Sequence, residues 1–320
     1  MSIRLFANGN DITTQIEGRL LRASISDQRS DQVDELSIEL DNHDNQLALP
    51  EPGASLRVWF PDADGLVDMG GFDVDSVETG GPPTTITLRA TSADLTKTLK
   101  TQREHSWDAT TLGAVLTEIA QRNTLKPIID NTLASIAIDH LDQTTESDLS
   151  LINRLGDDHD VVATVKSGHL VFMPTGQGVT PSGIQLPIIT IHLNDCTSWR
   201  YNKAKTTYTG VTANYNNRAY ARRDSITVGS GENPFVIRKT HRTAKAAREV
   251  ATAKWRKLKR AEQSLTLDLE TLKLDITSEA RLVLAGFPES VPATGWVVSV
   301  AEHEVGNGGN TTSVSAEKTQ

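Results

Sequence analysis

Carboxylates and imidazoles crowd together at two places in this chain, and metal binding or acid–base catalysis is the chemistry such crowding could serve. Asp157-Asp158-His159-Asp160 offers four ligand-type residues in a row, and Glu302-His303-Glu304 offers three. Neither reads as a metal centre. The first follows the end of a helical pattern, where polar residues meet solvent, and no second cluster is spaced to complete it. The second lies in an alternating stretch, so Glu302 and Glu304 share one strand face and His303 takes the other. Two carboxylates on one face are not a coordination sphere. His192 also alternates within a strand and reads as a packing or surface residue. Cys196 is the single cysteine, which excludes a disulfide framework and a thiolate cluster and suits a buried structural thiol. No Walker loop, nucleophile elbow, HExxH helix or dinucleotide fingerprint occurs. Gly229-Ser230-Gly231 lacks the helix start that a phosphate cradle needs. A glycosidase pair is defined by spatial separation, and 41 acidic residues leave sequence spacing unable to choose one. The expectation is a chain that is not an enzyme, with no catalytic, cofactor-binding or metal-binding residue.

The residues that stand out are basic. Lys245, Arg248, Lys254, Arg256, Lys257, Lys259 and Arg260 surround an apolar stripe of Ala244, Ala247, Ala251, Trp255 and Leu258, on a helix predicted over 244–261. Between Arg238 and Arg260 there are ten Lys or Arg and one acid, Glu249, whereas the whole chain carries −9 and the remainder therefore −18. Asymmetry of this kind reports partners. These seven residues are read as a partner-binding face for an acidic surface, in the same chain or in another subunit. The plainer reading is a solvated helix packed on the second β domain. An acidic remainder repels phosphate, so sequence-specific nucleic-acid binding is not expected. No run approaches the ~20 apolar residues of a membrane span, and Met1 to Gly9 turns polar too soon for a signal peptide. The chain is expected to be cytosolic when made.

Three units are predicted to position these groups. Residues 1–96 read as a first β-barrel domain, with strict alternation at Leu36/Ile38/Leu40, Leu56/Val58/Phe60 and Ile86/Leu88/Ala90. Residues 97–176 read as an α+β module. There Thr110 or Thr111 caps a helix ending near Asn123, and a second helix after Ser147 carries Leu149, Ile152 and Leu155 until Gly156 stops it. A hairpin over Val161–Val165 and Leu170–Pro174 follows. Residues 177–187 read as a linker, and 188–320 as a second β-barrel domain with the basic helix inserted, its tail weakened by Gly306 to Gly309. The fold class is thus mainly β, with an α+β insertion. One β unit also occurs twice. Leu36–Asp41 matches Leu265–Glu270, Leu56–Pro61 matches Leu282–Leu284 with Phe287-Pro288, and Gly71–Glu78 matches Gly295–Glu302. Both copies close with a Gly-rich turn and a Thr-rich strand, Thr84–Ala90 and Thr311–Ala316.

Ser106-Trp107, Thr111-Leu112-Gly113, Ile119-Ala120, Glu146-Ser147-Asp148-Leu149 and Val165 to Pro174, preceded by Leu36–Asp41 and Gly71–Val77, form a series that resembles the late control protein D family of contractile-tailed phages. The likeness spans most of the chain and is densest over 97–176. It implies a structural tail hub, similar to the basal part of type VI secretion spike proteins and found in the virion baseplate after assembly in the host cytoplasm. It further implies a homotrimer whose six related domains form a pseudo-six-fold ring, adapting a hexameric tail tube protein to a trimeric spike protein. Other baseplate proteins and the tape measure protein are the remaining expected partners. Thr111-Leu112, Ile119-Ala120 and Leu125 faintly resemble half of a LysM module, which leaves a peptidoglycan-binding or lytic baseplate component as the alternative.

Overall fold

The computed structural model describes residues 3–29, 34–48, 50–92, 97–166, 168–176, 186–217 and 219–319. Most of the predicted linker, 177–185, lies outside them. Alternation in the first 92 residues builds β1 (Arg4–Ala7), β2 (Asn10–Asp11), the single turn α1 (Thr13–Ile16), β3 (Leu20–Gln28), β4 (Glu35–Asp41), β5 (Ser55–Asp62), β6 (Gly65–Gly80) and β7 (Thr85–Ser92). The apolar triplets of β4, β5 and β7 turn to one side, and each residue is at most 5% exposed.

A helical turn, α2 (Lys97–Lys100), leads into the central elements. These are β8 (Gln102–Thr111), α3 (Leu112–Arg122), β9 (Lys126–Ile129), α4 (Asn131–Ala134), β10 (Ala137–Ser147), α5 (Asp148–His159), β11 (Val161–Lys166) and β12 (His169–Pro174). The Thr111 and Ser147 hydroxyls accept the backbone N–H groups of Ala114 and Ser150, which starts α3 and α5 as predicted. Gly156 does not stop α5. The helix continues to His159 and ends at Asp160, which takes a left-handed φ of 56°. Gly156 is there for proximity: a Cβ built on it would lie 2.5 Å from the Ala163 Cβ on β11. Gly156→Ala should overpack this contact and destabilise the protein by about 1–3 kcal/mol, read as a lower Tm in calorimetry.

The remaining strands are β13 (Ile188–His192), β14 (Cys196–Lys203), β15 (Gly210–Asn217), β16 (Arg222–Gly229), β17 (Pro234–His241), β18 (Gln263–Leu269), β19 (Arg281–Ala285), β20 (Trp296–Gly306) and β21 (Gly309–Lys318), with α6 (Ala244–Arg260) between β17 and β18. Gly306 and Gly309 do not weaken the tail; they flank the tight turn of the β20–β21 hairpin.

Two expectations need correction. Among the described residues, none of the sheets closes into a barrel. Thirteen strands form one open sheet in the order β14-β18-β21-β20-β3-β4-β7-β6-β5-β1-β2, with β19 and β13 branching from β20. The reason lies in β20, which is long enough to be shared. Its first residues pair with β19, while Val300–Gly306 pair with β3, so the edge that could close the second unit joins the first instead. Nor does the basic helix pack chiefly on the large sheet. Ala247 and Ala251 of α6 bury against Val211 and Ala213 of a separate three-stranded sheet, β16-β15-β17, with Trp255, Phe235 and Ile237 around them.

The duplication holds at the level of register. β3-β4-β7-β6-β5 and β14-β18-β21-β20-β19 run in the same order. Leu36 faces Ala90 where Leu265 faces Ala316, and Phe72 faces Leu56 where Trp296 faces Leu282. The irregularities coincide as well. The bulge between Val74 and Ser76 has its twin between Val298 and Val300, and the one between Leu20 and Arg22 has its twin between Cys196 and Ser198. Bulges re-aim a strand at a chosen point, so shared positions mean shared architecture. The outermost strands break the match: β1 is antiparallel to β5, whereas β13 is parallel to β19.

Candidate assembly interface

Of the seven basic residues expected to grip a partner, three are occupied within the chain by ion pairs at 3.1 Å or less. Lys257 Nζ lies 2.8 Å from Asp157, and Arg260 makes a two-pronged pair with Asp160. Lys239 of β17 reaches Asp158 at 3.3 Å. The acidic tetrapeptide and the basic helix are thus partners of each other, across about a hundred residues of sequence, and α5 is clamped to α6. Lys259 pairs with Glu262 at 3.0 Å and lies over the Trp255 ring. Lys245 reaches Glu249 only at 3.9 Å, on an exposed face. Lys254 stacks over Phe235, 5.3 Å from the ring centre. Arg248 and Arg256 are exposed and have no ion pair among the described residues.

That tally leaves Lys257, Lys259 and Arg260 as three helix residues held by acids, with Lys239 as the fourth pair, from β17. Burial orders their worth. Arg260 is 12% exposed and Asp160 6%, so this pair is structural. Burial lowers the Arg260 pKa, but the Asp160 carboxylate more than offsets it and carries the net upward. Lys257 and Asp157 are both more than half exposed, where an ion pair contributes about 0–1 kcal/mol.

A second ionic cluster, which sequence spacing did not reveal, sits where the three units meet. Lys166 at the end of β11 bridges Asp27 of β3 at 2.9 Å and Asp34 at 2.8 Å. Ser278 donates its hydroxyl to Asp27 at 2.6 Å and its backbone N–H to the other oxygen at 3.1 Å. Beside it, Arg29 meets Glu279 at 2.5 Å and Glu317 at 3.0 Å, while the Gly176 N–H donates to Glu279 at 2.6 Å. Burial pushes the Asp27 carboxyl up, and Lys166 with Ser278 pulls it below its ordinary value. For Asp34, burial wins over Lys166 and the net is upward.

His303 is buried on the core side and bonded to Thr312 at 3.1 Å, with Glu302 and Glu304 on the other face as alternation requires. Both carboxylates serve the junction between the units. Arg22 of β3 reaches Glu304 at 2.8 Å and Glu302 at 3.5 Å across the β20–β3 pairing. Cys196 is half-buried rather than buried. The outward face of the sheet here is polar, with Ser24, Ser26, Ser37, Glu39, Thr87 and Glu302 lining a concavity of about 730 Å³.

Among the open edges of the large sheet in the described residues are those of β14 and of the far half of β6. β14 pairs only with β18, and β6 beyond Val74 pairs only with β7. Trp199, on the open edge of β14, is 38% exposed, whereas its counterpart in the first unit, Ala23 of β3, is fully buried under β20.

Comparison with known proteins gives this arrangement a context. Residues 65–309 match the model of a family described as phage tail baseplate hub (GPD). A probable baseplate hub protein of Escherichia phage P2 is 34% identical over 355 aligned residues, covering 98% of this chain and 92% of that protein. Among solved structures, the 43 kDa tail protein of prophage MuSo2 from Shewanella oneidensis is similar in fold, with a TM-score of 0.71, 13% identity and coverage of 99% of this chain and 98% of that one. The c3393 protein of E. coli, a component of the type VI secretion system, is similar at a TM-score of 0.56 and 11% identity, covering 94% and 74%.

Proposed function

Because this chain belongs to the phage tail baseplate hub family, we propose that it is the structural hub of a contractile tail or tail-like particle, working as a homotrimer with a pseudo-six-fold ring. The single observation that carries this reading is the matched strand order, register and bulge positions of the two β units. Three chains then present six near-equivalent surfaces, which a hexameric tube requires, while the chain as a whole repeats only three times, which a trimeric spike requires. The three sequence units, 1–96, 97–176 and 188–320, serve as ring segment, connector and ring segment. The polar, Ser- and Thr-rich outward face with its carboxylates suits a lumen through which DNA passes without sticking. Tube, spike, other baseplate proteins and the tape measure protein are the partners, in the virion baseplate after assembly in host cytoplasm.

Light scattering behind gel filtration, on the purified chain alone and with its spike, tests this directly. A trimer in either sample is expected; a monomer in both, with no complex, refutes the hub trimer.

The basic helix keeps a role in this reading, but a narrower one. Arg248 and Arg256, with Lys245 and Lys254 beside them, are the helix cations least engaged within the chain, and they face out to a neighbouring protein. Reversing Arg248 and Arg256 to glutamate should lower particle yield about tenfold by removing charge complementarity, with an unchanged Tm for the isolated chain. Lys257→Glu should instead shift Tm slightly, because its partner is internal.

A further inference from the structure

The chain contains one finished copy of a contact and two unfinished halves of the same contact. In the finished copy, the second half of β20 runs antiparallel to β3, with Val300 facing Gln28, Glu302 facing Ser26 and Glu304 facing Ser24. The duplication assigns each strand a twin. β6 stands for β20, because Val74 and Val298 face Ala90 and Ala316 and the bulge follows in both. β14 stands for β3, because Cys196 and Leu20 face Leu269 and Leu40, again with a bulge next. The twins, β14 and the far half of β6, both have an open edge.

Resting on the trimeric hub reading, we infer that the open edge of β14 in one copy of this chain pairs antiparallel with residues 76–80 of β6 in the next copy, repeating the β20–β3 junction between chains. Carrying the internal register across gives definite partners. Ser76 faces Ala204, Val77 faces Lys203, Glu78 faces Asn202, Thr79 faces Tyr201 and Gly80 faces Arg200.

Three observations support a second copy as the occupant. First, open strand edges are templates for pairing, and β14 is neither short nor buried: most of its eight residues are exposed. Second, the apolar residues fit. Ala23 and Ile25 of β3 are at most 3% exposed under β20, whereas Trp199 and Tyr201 at the same places of β14 are only partly covered. By this register Thr79 lies beside Tyr201, and Trp199 stands one residue past the end of β6 at Gly80. Third, a diagonal charge pair recurs, displaced by two residues along the strands. Inside the chain, Arg22 faces Gly306 and pairs diagonally with Glu304, two residues along β20. Between chains, Arg200 faces Gly80 and stands diagonally from Glu78, also two residues along and on the same outward face. Glu78 is 63% exposed and reaches Arg89 only at 3.8 Å, so it is available. The contact is heterologous, using different surfaces of the two copies, and therefore closes into a ring or grows into a filament.

The experiment places cysteines at Glu78→Cys and Asn202→Cys in a Cys196→Ser background. These residues face each other directly, at the separation a disulfide spans. Oxidation should give a species of three chains as the main product on a non-reducing gel, collapsing on reduction. Glu78→Cys with Lys203→Cys, one residue off and on the opposite face, should give little. A companion test reverses charge. Glu78→Arg or Arg200→Glu alone should weaken the trimer about tenfold, and the two together in one chain should restore it, since every contact then regains an opposite pair. A trimer by light scattering that stays unlinked at 78 and 202 overturns the pairing and leaves the trimeric hub standing. Linkage that stops at two chains, or charge reversals with no effect, overturns it as well. A monomer under all conditions overturns the trimer together with the pairing.

Discussion

Asp148→Ala is expected to destabilise the chain by about 3–5 kcal/mol, the range for removing one partner of a buried ionic network. Asp148 is the first residue of α5, and its side chain has no exposed surface. Asn123 donates to one oxygen at 2.8 Å, Gln143 to the other at 2.9 Å, and Arg122 reaches it at 3.2 Å, with Arg103 at 3.6 Å. One carboxylate thereby fastens the ends of α3 and β10 to the start of α5. Its position at a helix N-terminus adds a favourable dipole. Removal leaves two guanidinium groups and two amides short of an acceptor inside the central module. Asp148→Asn keeps the shape but loses the charge, and should cost less than half as much. Chemical denaturation followed by tryptophan fluorescence would measure both, with Trp107 in the affected core. A loss under 1 kcal/mol for the alanine variant would show that the network is replaceable by water.

Lys166→Met should have an effect of similar size, about 3–5 kcal/mol at neutral pH, and should reverse a pH dependence. In the native chain burial lowers the Lys166 pKa, but Asp27 and Asp34 carry it well above its ordinary value. Its contribution is complete below the unfolded lysine value and is lost only as pH rises through the raised one. Asp27, held below its ordinary value, contributes above the unfolded carboxyl pKa and loses that contribution as pH falls through the depressed one. Asp34, raised by burial, opposes this. Without the ammonium, two carboxylates face each other half-desolvated, and both pKa values move upward. The folded state then binds protons more readily than the unfolded one, so stability should climb as pH falls from 7 toward 5. Urea midpoints at pH 5, 6 and 7 test the sign: the native chain should stay level or fall across that window, and the variant should rise. A variant that follows the native trend would mean water replaces the lysine.

The residues that were legible in the sequence are those whose side chains alternate cleanly between core and solvent. β4, β5, β7 and β18 show this pattern, and the caps Thr111 and Ser147 mark their helices. β3 and β14 do not. Leu20–Gln28 mixes Ala, Ser and Asp because it is covered on both edges, and Cys196–Lys203 mixes Trp, Arg and Asn because one edge is open. The antiparallel pair of β8 and β10 hides for a related reason: most of its exposed positions are polar, on both faces. Ionic partners were illegible because their distance in sequence is large. Lys166 and Asp27 are 139 residues apart, and Lys257 and Asp157 are 100 apart. Gly156 shows a subtler limit, since a glycine that admits a neighbour and a glycine that ends a helix look alike in one sequence.

Gly53 and Glu279 hold corresponding places, each donating its backbone N–H to the strand valine at Val74 or Val298. Both have positive φ, +90° and +68°. For glycine that conformation is free; for glutamate it costs roughly 1–3 kcal/mol, offset here by the pair with Arg29. Around the proposed ring of three chains, glycine and glutamate would alternate. The main chain then recurs every sixth of a turn, while this carboxylate recurs every third, so a single object carries two rotational frequencies. A neighbour that senses only main chain meets six equal steps, and one that senses the glutamate meets three.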